Sequence, residues 1–198
     1  MTFRWVHIGA FAVVVVCWLA FAGFFLFQKR PPRQPATRQE RLSVLGIAIQ
    51  GAAYAIVWMI ERPRFTSIFP WPGFLQVIPA VAAAALSVAS VWLSVASIRA
   101  LGKEWSFEAR LVEGHRLVTE GPYGRVRHPI YSAMLGMLVS TGLVISHWTG
   151  LLAAVLLFGI GTAIRVKSEE KLLRAQFGPE YELYARRVPA ILPWPHRR

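Results

Sequence analysis

The chain has 198 residues, 55% of them hydrophobic and 16% charged, against roughly 25% charged in a soluble domain. That composition excludes a disordered chain and argues against a water-soluble globule. The net charge of +12 comes from 22 Lys and Arg against ten acids, all of them Glu, which suits either nucleic acid or an anionic membrane surface; the apolar runs below favour the membrane.

The first apolar run covers residues 5–27, long enough for a helix that crosses a bilayer. A secretory signal peptide is disfavoured because only Arg4 precedes the run and the run exceeds a usual signal core. Cys17 lies inside it and is the one cysteine. A single cysteine makes no internal disulfide and no Cys-rich zinc site, so it reads as a small apolar residue, and no metal site is expected. Residues 28–41 are basic and Pro-rich, an extended linker suited to anionic headgroups. A second run, 42–60, carries no charge, and a third, 74–98, is rich in Ala and Ser. A polar stretch, 101–131, follows. Residues 129–166 hold no Lys, Arg or Glu before Arg165 and break near His147-Trp148-Thr149-Gly150, which predicts a tight hairpin of two helices. Gly178-Pro179 ends the helix that leaves the hairpin and starts a short final one.

These elements predict an all-α integral membrane bundle of about five transmembrane helices with a cytoplasmic C-terminal helical cap. Nineteen of the 22 Lys and Arg fall on one set of alternate loops and three on the other. The positive-inside rule then puts the N-terminus outside and the C-terminus in the cytoplasm, in the inner or plasma membrane if the source is bacterial. No strand, Gly-loop and helix unit is present for a dinucleotide. Gly159-Ile160-Gly161 sits mid-span, where small residues let helices approach closely.

Side chains with chemistry concentrate in two segments, 101–131 and 165 onward, both on the side expected to be cytoplasmic. Pro129 suits the first turn of a helix, so His128 sits at the N-terminal edge of the fourth span. Unpaired N–H groups and the helix dipole there can hold an anion such as a ligand carboxylate, and Arg127 adds a fork of donors. Arg165 and Glu169, four apart, share a helix face. Taken singly, the same residues fit ordinary roles: Arg125 and Arg127 as snorkelling arginines, Arg165 and Glu169 as an interfacial ion pair, Glu170 facing water, His128 as a cap. Tyr131, Tyr181 and Tyr184 fit interfacial aromatics.

Their order is more telling. From His115 the chain reads His-x-Leu-Val-x-x-Gly-Pro-Tyr-x-x-x-Arg-His-Pro-x-Tyr, and from Arg165 it reads Arg-x-x-x-Glu-Glu-x-x-Leu-x-x-x-Phe-Gly-x-x-Tyr-x-x-Tyr. This two-part pattern, over about 101–193, resembles the isoprenylcysteine carboxyl methyltransferase family of membrane enzymes. The apolar runs make residues 1–100 N-terminal membrane helices 1–3, and the resemblance implies 101–198 as a methyltransferase catalytic region. It implies S-adenosylmethionine as cofactor, S-adenosylhomocysteine as product, and a lipophilic carboxylate as methyl acceptor.

By position, Arg110, His115, Arg116, Leu117, Val118, Tyr123, His128, Pro129, Ile130, Tyr131, Glu169 and Glu170 are implied to line the cofactor. Arg165 and Arg127 are implied to be catalytic: Arg165 faces the acceptor, and Arg127 orients the acceptor or the pocket. A carboxylate acceptor needs no general base; an amine acceptor needs one, for which Glu170 is a candidate. The expected partners are membrane lipids and the acceptor, with no nucleic acid and no obligate protein partner. Alternatives are a phospholipid N-methyltransferase, a related NADPH-dependent membrane reductase, and a non-enzymatic membrane scaffold.

Overall fold

The structure is a computed structural model that describes residues 3–27, 38–39, 42–102, 110–111 and 116–193. Helix α1 spans Arg4–Phe27, α2 Leu42–Met59, α3 Val77–Leu101, α4 Pro129–Ile145, α5 Trp148–Phe177 and α6 Pro179–Arg187. Four helical stretches are long and apolar enough to cross a membrane: Arg4–Phe27, Leu42–Met59, Gly73–Leu101 and Trp148–Phe177. The fifth apolar helix, α4, has 17 residues and is about 26 Å long, shorter than the ~20 residues of a usual span. The hairpin break falls at Ser146-His147, as the sequence predicts.

Apolar side chains such as Leu19, Trp92, Leu152, Leu156 and Ile160 point outward, as expected where lipid replaces water. Inside, α2, α4 and α5 share a core of Ala53, Val57, Leu138, Ala154 and Phe158. Cys17, Phe21 and Met137 form a second cluster. Tyr54 and Trp18 tie these layers together with their polar ends: the Tyr54 hydroxyl donates to Met134 O at 2.7 Å and the Trp18 indole to Thr141 Oγ1 at 2.9 Å.

Small residues set the spacing between helices. A side chain at Gly46 of α2 would strike Arg165 Cγ and the Gly161 carbonyl of α5, and one at Gly136 of α4 would strike Ser90 of α3. Two of the buried serines of α3, Ser87 and Ser97, satisfy their hydroxyls locally by bonding back to the carbonyls of Ala84 and Leu93.

The connections at each end of the bundle join one another. At one end, Arg38-Gln39 pairs antiparallel with Arg110-Leu111, bringing together the loops after α1 and α3. At the other, Glu61 bridges Ser146, and His147 N–H donates to Ile60 O at 2.9 Å. The loops after α1 and α3 thus share one end of the bundle, and those after α2 and α4 the other.

Arg62 closes the second end. Its guanidinium donates to Leu143 O at 2.8 Å, Ser146 O at 2.5 Å and Gly142 O at 3.3 Å, and to Thr66 O at 2.9 Å. The last carbonyls of a helix have no partner within it. Arg62 supplies one and adds a cation at the negative end of the α4 dipole. Burial lowers its pKa to about 10, so it stays charged at neutral pH.

Candidate active site

Helix α5 continues without a break from its apolar half into the polar run that starts at Arg165. Thirty residues at 1.5 Å each make about 45 Å, more than the ~30 Å hydrocarbon core. Its last third therefore stands beyond the apolar stretch, beside the start of α4. Gly178, at φ +50, turns the chain there. Few side chains tolerate that backbone, and α6 folds back against the same place. Arg174 fastens the corner by bonding Glu170 at 2.9 Å and Glu182 of α6 at 2.8 Å.

The two polar segments meet here. The Tyr131 hydroxyl donates to Glu169 Oε1. His128 lies between the two acids, Nδ1 3.3 Å from Glu169 Oε2 and Nε2 3.3 Å from Glu170 Oε1. The His128 and Tyr131 rings stack at 5.8 Å. The Arg165 guanidinium also lies over the Tyr131 ring, 5.0 Å from its centroid, with Nη2 3.6 Å from Glu169. The Glu169 side chain keeps 24% exposure while those of His128, Glu170 and Arg165 keep 5%, 8% and 9%. The cluster is closed except at one carboxylate.

Arg127 faces the protein. Its Nε and Nη2 donate to Glu170 Oε1 at 3.0 and 2.7 Å, and its Nη1 to the carbonyls of Ala185, at 2.9 Å, and Val188. Glu170 is buried rather than facing water, held by Arg127, His128 and Arg174.

At the start of α4, two of the N–H groups considered for an anion are bonded within the chain. The N–H groups of Arg127 and His128 donate to Pro189 O and Ala190 O, each at 2.8 Å, and Ser132 Oγ donates to Ile191 O. The chain after α6 lies along the helix start and occupies these three donors. That segment is irregular, so its pairing with α4 leaves no periodic mark in the sequence.

Tyr123 is buried on the 3-10 turn Gly121–Gly124, and its carbonyl accepts the Tyr184 hydroxyl at 2.7 Å. Burial, then the charge of Glu169, raises the Tyr123 pKa and keeps its hydroxyl protonated. Pro129 is buried and Ile130 half-buried in the first turn of α4. Leu117 and Val118 are half-buried and Arg116 exposed in the irregular stretch before the turn. His115 and the side chain of Arg110 lie outside the described residues.

One residue of this cluster escapes the sequence reading. Gln50 of α2 is 2% exposed. Its Nε2 donates to Thr162 Oγ1 at 2.8 Å, and its Oε1 lies 3.5 Å from Arg165 Nη1. The signal for it is an amide four residues after Gly46 in an otherwise apolar helix.

The polar cluster is thus built at one end of the helical bundle from two distant segments, with the chain after α6 lying across it. A family model described as phospholipid methyltransferase matches residues 78–180, just over half of the chain, and the chain belongs to that family. With its four long apolar helices, it is an integral membrane protein.

Protein-S-isoprenylcysteine O-methyltransferase B of Arabidopsis thaliana is 38% identical over 85 residues, 43% of this chain and 43% of that one. The nickel-cobalt-cadmium resistance protein NccN of Alcaligenes xylosoxydans xylosoxydans is 33% identical over 116 residues, 57% of this chain and 52% of that one. Methanethiol S-methyltransferase of Mycobacterium tuberculosis is 40% identical over 81 residues, 38% of this chain and 30% of that one. The chain thus covers about half or less of each of these relatives. The resemblance read from the two polar segments is borne out by the first of them.

Proposed function

We propose that the protein is a methyltransferase that uses S-adenosylmethionine to methylate a lipophilic carboxylate at the cytoplasmic face of a membrane. The observation that carries this reading is the Tyr131–Glu169–Arg165 cluster, in which a partly exposed carboxylate and a buried guanidinium stand side by side.

The residues fit a zwitterionic sulfonium donor. Glu169 is the one acid of the cluster with an open side, and Tyr131, His128 and Arg165 hold it in place. It accepts the donor's ammonium group. Leu117, Val118, Tyr123, Pro129 and Ile130 supply an apolar surround. His115, Arg116 and Arg110, from the loop before the 3-10 turn, are proposed as further contacts by position in the pattern. When bound, the donor supplies an electrophilic methyl group on a sulfonium. The carbon–sulfur bond breaks as the carbon–oxygen bond forms, leaving a neutral thioether.

Arg165 holds the acceptor carboxylate in line. Opposite charges cancel in this reaction, so a dry site favours it. Fixed orientation contributes as well. No proton moves, since the acceptor is already ionised. The geometry favours a carboxylate over an amine: Glu170, the candidate base for an amine, is taken up by Arg127, His128 and Arg174. Arg127 acts through Glu170 and the chain after α6 as a positioning residue.

The test is incubation of purified protein with methyl-labelled donor, an S-prenylated N-acetylcysteine and, separately, total lipid. Base-labile label in the prenylated probe supports a methyl ester. Base-stable label confined to amine phospholipids overturns the carboxylate reading.

A further inference from the structure

Gln50 lies on α2, outside residues 78–180 that the family model matches, yet it touches the acceptor-side arginine. We infer that Gln50 is a positioning residue that fixes Arg165 for the acceptor carboxylate, so that the N-terminal half of the chain sets how the acceptor binds. The inference rests on the function proposed above.

A guanidinium has donors only. The end of the Gln50 amide that faces Arg165 must therefore be its oxygen, which leaves the NH2 group for Thr162. The 2.8 Å bond to Thr162 Oγ1 and the 3.5 Å approach to Arg165 Nη1 agree with that assignment. Both ends of a buried amide are thus used, as burial demands.

The guanidinium is held on three sides: by the Tyr131 ring, by Glu169 at Nη2 and by Gln50 at Nη1. Gly46 and Gly161 permit this, because a side chain at Gly46 would displace Arg165 Cγ and one at Gly161 would press on Gln50 Cγ at 3.0 Å. A neutral amide orients the arginine without cancelling its charge. A carboxylate at the same position would orient it and cancel it.

That difference gives the test. In Gln50→Glu the new carboxylate pairs with Arg165 and competes with the acceptor. The KM for an S-prenylated N-acetylcysteine rises about tenfold or more, the scale of a lost charge-assisted contact. The affinity for S-adenosylhomocysteine, read by calorimetry, stays near wild type. A residue that only packs α2 against α5 moves both values together or neither. Thr162→Val, which frees the amide without adding charge, raises the acceptor KM severalfold in the same direction, and it serves if Gln50→Glu does not fold.

An active wild type with an unchanged acceptor KM in either folded variant overturns the inference and leaves the proposed function standing. A wild type that methylates no carboxylate probe overturns both.

Discussion

Arg127 and Glu170, 43 positions apart, are joined by two hydrogen bonds of 3.0 and 2.7 Å to one carboxylate oxygen. The same guanidinium also holds the carbonyls of Ala185 and Val188. One side chain thus links the start of α4, the polar end of α5 and the chain after α6.

Arg127→Ala leaves Glu170 and two carbonyls without that donor fork. Removing one partner of a buried ion pair costs about 3–5 kcal/mol. The variant is expected to melt far below wild type in detergent and to lose methyl transfer with it. Arg127→Lys recovers little of either, because one ammonium cannot reproduce the fork that meets Glu170 and both carbonyls at once. Melting curves monitored by intrinsic fluorescence check both variants.

Arg62 sits at the opposite end of the bundle, so its loss separates stability from chemistry. Arg62→Met removes four carbonyl contacts and a favourable charge at the end of α4. A loss of about 2 kcal/mol is expected, the scale of hydrogen bonds to a charged group. Thermal melting reports it, while the KM values of the protein that remains folded stay unchanged.

Gly46→Ala tests the close contact of α2 and α5. The added methyl lands on Arg165 Cγ and the Gly161 carbonyl. Overpacking of this kind costs about 1–3 kcal/mol. Because one of the displaced atoms belongs to Arg165, methyl transfer is expected to fall beyond the loss of stability. Initial rates normalised to folded protein separate the two effects.

His128 gives the pH dependence its sign. Burial alone would lower its pKa, but the hydrogen bonds and charges of Glu169 and Glu170 outweigh burial and hold it above the ordinary 6.5. A raised pKa means the folded state binds the proton more tightly than the unfolded state. The stabilisation is complete below 6.5 and is lost as pH rises through the folded value. Wild type is expected to lose melting temperature over that window more steeply than His128→Asn. Melting points taken from pH ~6 to ~9 show whether the slopes differ.

Much of the architecture is legible in the sequence, since spans, the hairpin turn and the Gly178 corner are written as apolar runs and turn residues. The meeting of Tyr131 with Glu169 is legible too, because the hairpin between them returns the chain to the same face. The faces of the helices are not. Lipid and protein core are both apolar, so a helix such as α2 carries no polar stripe to show which side turns inward. Gln50 is its main inward marker, a single amide. The capping of α4 by Arg62 is hidden for another reason: a loop arginine reads as a topology signal until the helix end 80 to 84 positions away is placed against it. The occupied N–H groups of Arg127 and His128 escape because only folding brings the chain after α6 across them.

Calorimetric titration of the detergent-purified protein with S-adenosylhomocysteine tests the assignment most directly. Saturable binding to wild type and its loss in a folded Glu169→Gln variant are expected. A wild type that binds no S-adenosylhomocysteine, or a Glu169→Gln variant that binds it equally well, contradicts a donor site at this cluster.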